Sequence, residues 1–240
     1  MPVEKRRAQR VSSILESLSL WIVTDIPGPL GDRLRHLYYR RKLRALAPTA
    51  RIDVGVQISN PQFVTLGDNT WVDKYVVINA GPPTVGRRRV SRRQNPDFRF
   101  SEGSVVIGPN SHIAPHAVLN GHGGIHIEGD STVAAGSRVY SLSHHHRNLD
   151  DPGDDRLYLF SSQAQQEWQS LLSAPVVIHR GGALALNSVI LPGSTVGHDA
   201  WVTVGSVVMG EIPDGCIASG SPAEAVSFRP GYGPPAQQPS

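Results

Sequence analysis

Between residues 54 and 208 the apolar side chains of this chain recur at a stride of six. Val54, Asn60, Leu66, Val72 and Ile78 form one block, in which Asn60 is the single polar member. Ile107, Ile113 and Leu119 form a second block, and Ile127, Val133 and Val139 a third. The fourth is the longest: Ile178, Leu184, Ile190, Val196, Val202 and Val208. Four residues beyond these anchors the side chain is usually small, as at Ser111, Ala117, Ser131, Ser137, Ser143, Ser188, Ser194, Ala200 and Ser206. An α-helix would repeat every 3.6 residues and a half-buried strand every two. A stride of six suits a parallel β-helix, in which each hexad supplies one short strand and one corner. The aliphatic anchor fills the interior, and the small residue fits the crowded corner.

The flanks read differently. Residues 1–49 predict a separate helical segment, with Val11, Ile14, Leu15, Leu18, Trp21 and Ile22 on one face at helical spacing. Pro27, Gly28 and Pro29 stop that helix, and a second is expected from Gly31 to Ala45. Leu34, Leu37 and Tyr38 lie on one side of it, and Arg33, Arg35, Arg40, Arg41, Lys42 and Arg44 on the other. The plain account is a helical cap on the first coil with a solvated basic face. The sharper one is a peripheral contact with an anionic membrane surface. Residues 50–226 make the β-helix domain, and 227–240, without an apolar face, read as a disordered tail.

Two excursions break the stride. Residues 80–104 carry Arg87, Arg88, Arg89, Arg92 and Arg93, and residues 147–174 include a short helix expected around Gln163–Leu172. Long loops on a rigid scaffold are where binding usually resides.

Composition narrows the classes. With 24 glycines and 19 prolines, the 240-residue chain suits a fold that turns every few residues. One cysteine, Cys216, excludes an internal disulfide framework and fits a reducing compartment; no histidine stands at a spacing that would make it a nucleophile. The stretch from Val11 to Ile26 is too polar to cross a bilayer, and Glu16 breaks the core a secretory signal needs. A cytoplasmic location follows as the expectation. The net charge of +3 is mild, and no nucleic-acid partner is expected.

Tyr140-Ser141-Leu142-Ser143-His144-His145-His146 ends the third block and opens the second excursion. A histidine that leaves a rigid coil for a loop stands at a cleft mouth, where imidazole can serve as a base near neutral pH. Further on come Ile190-Leu191-Pro192-Gly193-Ser194-Thr195-Val196-Gly197 and Val204-Gly205-Ser206-Val207-Val208. Ile212-Pro213-Asp214-Gly215 then leads to Gly220-Ser221-Pro222-Ala223. In these segments residues 50–226 resemble the hexapeptide-repeat acyltransferases, in the branch holding galactoside, maltose, xenobiotic and colanic acid O-acetyltransferases. The two-residue interruption between Leu119 and Ile127 resembles one in the galactoside enzymes.

That resemblance implies an all-β fold: a left-handed parallel β-helix of hexapeptide repeats with an N-terminal helical segment and two projecting loops. Left-handed winding is an exception to the right-handed crossover rule. It implies an O-acetyltransferase that uses acetyl-CoA as co-substrate, with no tightly bound metal, on a sugar-like hydroxyl acceptor. A homotrimer with sites between subunits is also implied. His144 is the implied base, His146 the fallback, and Asp150 or Asp151 a holder of the second ring nitrogen; a backbone carbonyl or a neighbouring subunit would serve equally. Pantetheine is implied to run along Leu186, Val204 and Gly205. Positions that hold sugar in the galactoside enzymes fall at Ala114 and His122.

The chain departs from the pattern where CoA phosphates are normally met. Met209-Gly210 replaces Thr-Lys, and Glu224 stands where a basic residue usually follows the C-terminal signature, a charge that repels phosphate. Arg229, or an arginine from the 87–93 run of another subunit, is the implied compensation. Two other classes share the architecture. A γ-type carbonic anhydrase would need zinc held by histidines of adjacent subunits, for which His112, His116, His122 and His126 are the candidates, and a non-catalytic scaffold would need no site at all.

Overall fold

The computed structural model describes residues 21–233, and in it the hexads wind into a three-sided parallel β-helix. The first face is built, in order, from β1 (Ala45–Leu46), β4 (Val64–Leu66), β8 (Val105–Ile107), β11 (Ile125–Ile127), β16 (Val176–Ile178), β19 (Thr195–Val196) and β22 (Glu211–Ile212). The second runs β2 (Arg51–Ile52), β5 (Trp71–Val72), β9 (His112–Ile113), β12 (Thr132–Val133), β17 (Ala183–Leu184), β20 (Trp201–Val202) and β23 (Cys216–Gly220). The third runs β3 (Gln57–Ser59), β6 (Val77–Asn79), β10 (Val118–Asn120), β13 (Arg138–Tyr140), β18 (Val189–Ile190) and β21 (Val207–Val208). Equivalent strands pair in parallel from coil to coil with the anchors in register: Leu119 lies between Ile78 and Val139, and Val133 between Ile113 and Leu184.

From Leu66 to Val208 no anchor is more than 1% exposed. The small corner residues are buried as well, and their hydroxyls find backbone acceptors there: Ser137 and Ser188 both donate to the Ala185 carbonyl, at 2.9 and 2.6 Å. Ser143 is only half-buried because the chain has already left the coil. One line of corners turns through Asn69, Asn110 and Asp130, all at positive φ, and short polar side chains tolerate this conformation. These residues also bond to one another up the stack, Asn69 to Asn110 at 3.1 Å and Asn110 to Asp130 at 2.8 Å.

In the first coil the register differs from expectation. Ile52 lies under Val72, Ile58 under Ile78 and Leu46 under Leu66, so the interior positions fall two residues ahead of Val54 and Asn60. Asn60, at φ 52°, instead starts a 3₁₀ turn over Pro61–Phe63 that inserts two residues before Leu66. Every insertion in the coil falls at this same corner, between the third and first faces: Ile58 to Leu66, Ile78 to Ile107, Leu119 to Ile127, and Val139 to Ile178. The irregular segments therefore stack on one edge of the prism.

The second helix spans Gly28–Tyr39 rather than Gly31–Ala45, and Ala45–Leu46 are already the first strand. Pro29 stands in its first turn, where a missing N–H costs nothing. Arg35 does not share the solvated basic face: its side chain is 1% exposed and clamps the helix to the coil. Its Nε donates to Ile52 O at 2.8 Å, Nη1 to Ile26 O at 2.7 Å, and Nη2 to Asp32 at 2.5 Å. Of the first apolar face, Trp21 and Ile22 are exposed, and Val11, Ile14, Leu15 and Leu18 lie outside the described residues.

The excursions meet in a small sheet of β14 (Leu142–His144), β15 (Ser170–Ser173) and β7 (Arg89–Arg92); β15 is antiparallel to β14 and parallel to β7. The helix expected at Gln163–Leu172 is a 3₁₀ turn over Gln166–Trp168 followed by β15. At the other end the chain does not lose order at residue 227. β24 (Ala223–Phe228) returns antiparallel along β23, and Tyr232 donates to Asp199 at 2.6 Å; residues 234–240 lie outside the described residues. No described helix is long and apolar enough to cross a membrane.

Candidate active site

Because the excursions leave from one corner, they enclose a cavity of about 510 Å³ beside the third face. Pro83, Thr84 and Arg88 come from the first excursion, and Asn120 and His122 from the interruption after β10. Tyr140, Leu142, Ser143 and His144 come from the exit of the coil, and Ser162, Gln169 and Leu171 from the second excursion. Ser141 fixes the local geometry. Wholly buried, it donates to Asn120 O at 2.9 Å and accepts the Gly123 N–H at 2.9 Å, which holds the turn carrying His122. Gly123 has no room for a side chain, since a Cβ there would sit 2.3 Å from Ser141 O.

His144 ends β14 opposite Leu171. Burial, and secondly the charge of Arg88, hold its pKa below the ordinary 6.5, so the imidazole is neutral at pH 7 and able to accept a proton. Its Nδ1 is buried and has no hydrogen-bond partner, and the same is true of Asn120 Oδ1 in the same cavity. Two unsatisfied polar atoms at one cavity are costly in a purely structural surface and natural where a polar ligand binds. His122 is set differently. Its Nδ1 lies 2.8 Å from Gly81 O, so that nitrogen donates, and Nε2 is the acceptor in the tautomer this bond selects. Arg88 is held by Gln169 at 2.8 Å.

Other expected residues are placed elsewhere. His146 is exposed next to Arg147, whose Nε approaches it to 2.9 Å, and it does not line the cavity. Asp150 cannot hold His144, because it is engaged by Arg93 at 2.8 Å, while Asp151 accepts the Gly153 N–H at 3.2 Å. Ala114 is buried away from the cavity. Leu186, Val204 and Gly205 do come together: the Gly205 N–H donates to Leu186 O at 2.9 Å, and both apolar side chains are exposed on the corner between the second and third faces. Arg229 sits at a different corner, bound to Asp199 O at 2.9 Å. Cys216 is wholly buried and its thiol is pushed up by burial, as a structural residue should be.

The histidines named for a zinc lyase are scattered. His112 stacks on Trp71 and lies 3.2 Å from Asp73, His116 stacks on Tyr75, and His126 packs edge-on against Phe100. Together with His122 in the cavity, they share no common centre among the described residues. A second cavity of about 470 Å³ lies between Arg92, Arg93, Phe98 and Phe100, but its cations are already paired, Arg92 with Glu102 and Arg93 with Asp150, and no histidine lines it. Sequence reading missed Arg88, Asn120, Tyr140 and Gln169 as cavity residues. Arg88 was visible only as part of a charge run, and Asn120 only as the outward neighbour of Leu119.

No protein-family model matches the chain. Over 129 residues, 53% of its length, it is 26% identical to an Escherichia coli K12 protein named as the lipopolysaccharide biosynthesis O-acetyl transferase WbbJ. Over 52 residues, 22% of its length, it is 43% identical to the dTDP-3-amino-3,6-dideoxy-alpha-D-galactopyranose 3-N-acetyltransferase of Aneurinibacillus thermoaerophilus. These matches cover 62% and 27% of the two relatives, under two-thirds of each. Among solved structures it is similar to AntD, an N-acyltransferase from Bacillus cereus in complex with dTDP-4-amino-4,6-dideoxyglucose and coenzyme A. That match has a TM-score of 0.63 and 18% identity, and covers 81% of this chain and 89% of the other.

Proposed function

We propose that this chain, whose relatives and structural neighbours are hexapeptide-repeat acyltransferases, moves an acetyl group from acetyl-CoA to a hydroxyl of a sugar-like acceptor. The observation that carries this reading is the neutral imidazole of His144, in one cavity with the unpaired Asn120 amide and the free acceptor nitrogen of His122. Acetyl-CoA supplies the activated thioester carbonyl. His144 takes the proton from the acceptor hydroxyl as its oxygen attacks the thioester carbonyl, and gives it to the CoA thiolate as the C–S bond breaks, while Asn120 and His122 orient the acceptor through hydrogen bonds. Arg88 favours a neutral hydroxyl over an ammonium group, since a second cation beside it would be repelled.

The exposed ridge of Leu186, Val204 and Gly205 is the proposed pantetheine track; its backbone groups tolerate side-chain change. The coil is read as left-handed and the assembly as a homotrimer. A neighbouring subunit is then the source of a cation for the CoA phosphates in place of Arg229. The exposed Arg33, Arg40, Arg41 and Arg44 are the surface for a peripheral membrane contact.

The test is transfer of labelled acetyl from acetyl-CoA to a panel of sugars and sugar nucleotides bearing either hydroxyl or amino groups. Label on hydroxyl acceptors supports the reading. Label only on amino acceptors overturns O-transfer and leaves acyl transfer standing. No label on any acceptor, with no acetyl-CoA binding by calorimetry, leaves only a scaffold.

A further inference from the structure

Away from the His144 cavity, three side chains with metal-ligand chemistry stack in successive coils. Glu128 follows the anchor Ile127, His179 follows Ile178, and His198 stands two residues beyond Val196, all on the edge where the first face turns into the second. One donor atom from each can be chosen so that all lie within 4.8 Å of one another. We propose that Glu128, His179 and His198 form a binding site for a divalent first-row metal ion, zinc being the best match, with Asp97 orienting His179 from outside. This site is separate from the acyl-transfer reading and takes no part in it.

The geometry of His179 carries the argument. Its Nδ1 is buried and makes no hydrogen bond, although it lies only 3.1 Å from Glu128 Oε1. On the other side of the ring, Nε2 lies 3.4 Å from Asp97 Oδ2. When the ring proton sits on Nε2, facing the Asp97 carboxylate, a lone pair on Nδ1 is directed toward Glu128. In that tautomer two ligand atoms 3.1 Å apart converge on one space, and a cation there would bind both. Tetrahedral zinc, with bonds of about 2.0–2.2 Å, puts neighbouring ligands about 3.3 Å apart, close to the observed spacing.

The remaining parts fit this chemistry. Glu128 is already oriented, because Oε2 accepts the Arg180 backbone N–H at 3.0 Å and Oε1 is left for an ion. The Arg180 guanidinium is committed to Asp130, so it does not neutralise Glu128. The His198 ring stacks on His179 with centroids 4.6 Å apart and planes 28° from parallel. Being exposed, it can swing inward to close the set, and the fourth position stays open to water. Two neutral imidazoles and a carboxylate suit zinc, whereas magnesium and calcium prefer oxygen. A carboxylate behind a ligating histidine is the common outer-shell arrangement. The competing occupant is a proton on Nδ1.

The test uses the full chain, without a histidine tag and stripped by chelator, titrated with zinc chloride by calorimetry and with cobalt chloride by visible absorption. The expected result is one zinc per chain, tetrahedral cobalt bands, and a raised unfolding temperature with zinc. His198→Ala and Glu128→Gln should weaken binding by at least about tenfold, and Asp97→Asn by about 10–100-fold. No saturable binding at millimolar zinc would overturn the site. So would unchanged affinity in His198→Ala and Glu128→Gln, or binding that disappears instead with the exposed His145→Ala/His146→Ala pair.

Discussion

Arg88 donates from Nε to Gln169 Oε1 at 2.8 Å, joining a guanidinium of the first excursion to a buried amide of the second. Gln169 in turn donates to Ala164 O at 2.5 Å. This bond fixes the cavity wall and sets a positive charge beside His144. Shape and electrostatics of the site thus depend on contacts between segments that leave the coil separately, this bond and the β7–β15 pairing among them.

The first prediction concerns pH. His144 is held below 6.5 by burial and by Arg88, so the base form persists to lower pH than for a free histidine. Arg88→Gln removes the repulsion and leaves the burial. The pKa then rises toward 6.5, and the acid limb of the kcat/KM profile moves to higher pH. A limb that does not move would separate Arg88 from His144.

Gln169→Ala takes the acceptor from Arg88 Nε, which keeps only its Nη1 bond to Thr84 O, and leaves Ala164 O without its donor. The expected loss of stability is about 1–3 kcal/mol, the cost of unsatisfied buried polar groups. Gln163→Ala, at an exposed position, should stay within about 0.5 kcal/mol. Denaturant unfolding of the two variants makes the comparison, and equal losses would contradict it.

Arg35 and Arg33 are two residues apart and opposite in role. Arg35→Met leaves the carbonyls of Ile26 and Ile52 without their charged donor and should cost about 1.5–3 kcal/mol. Arg33→Met, on the exposed side, should cost about 0.5 kcal/mol or less. Thermal unfolding midpoints test this, and similar midpoints would refute the clamp.

The register of the first coil makes its own prediction. Ile52→Ala empties an interior position and should destabilise by about 2–5 kcal/mol. Val54→Ala, on the half-buried corner, should cost about 1 kcal/mol or less. The reverse order would restore the register that places Val54 inside.

The coil itself was legible because an interior only one side chain wide admits little but aliphatic anchors, and their stride survives in the sequence from Leu66 to Val208. The first coil was misread because the insertion is only two residues long, and its turn signal, Asn60-Pro61-Gln62, passed as one polar exception in an otherwise unbroken stride. Arg35 was unreadable for another reason: a buried clamp and a solvated charge look alike in a run of arginines, and only the carbonyls of Ile26 and Ile52 tell them apart. The pairing of β7 with β15 joins Arg89 to Ser170, and no local pattern encodes so distant a contact. His144 and His122, named from motif and resemblance, line the cavity; Asn120 ends β10 itself, whereas Arg88 and Gln169 enter the cavity only through that tertiary pairing.

The central claim is that His144 is the base, and single-turnover acetyl transfer by wild type and His144→Ala tests it most directly, with acetyl-CoA affinity and unfolding midpoint measured alongside. The account predicts a rate lower by about 10²–10⁴-fold in the variant, with affinity and midpoint unchanged. A variant that transfers acetyl within about twofold of wild type would contradict it.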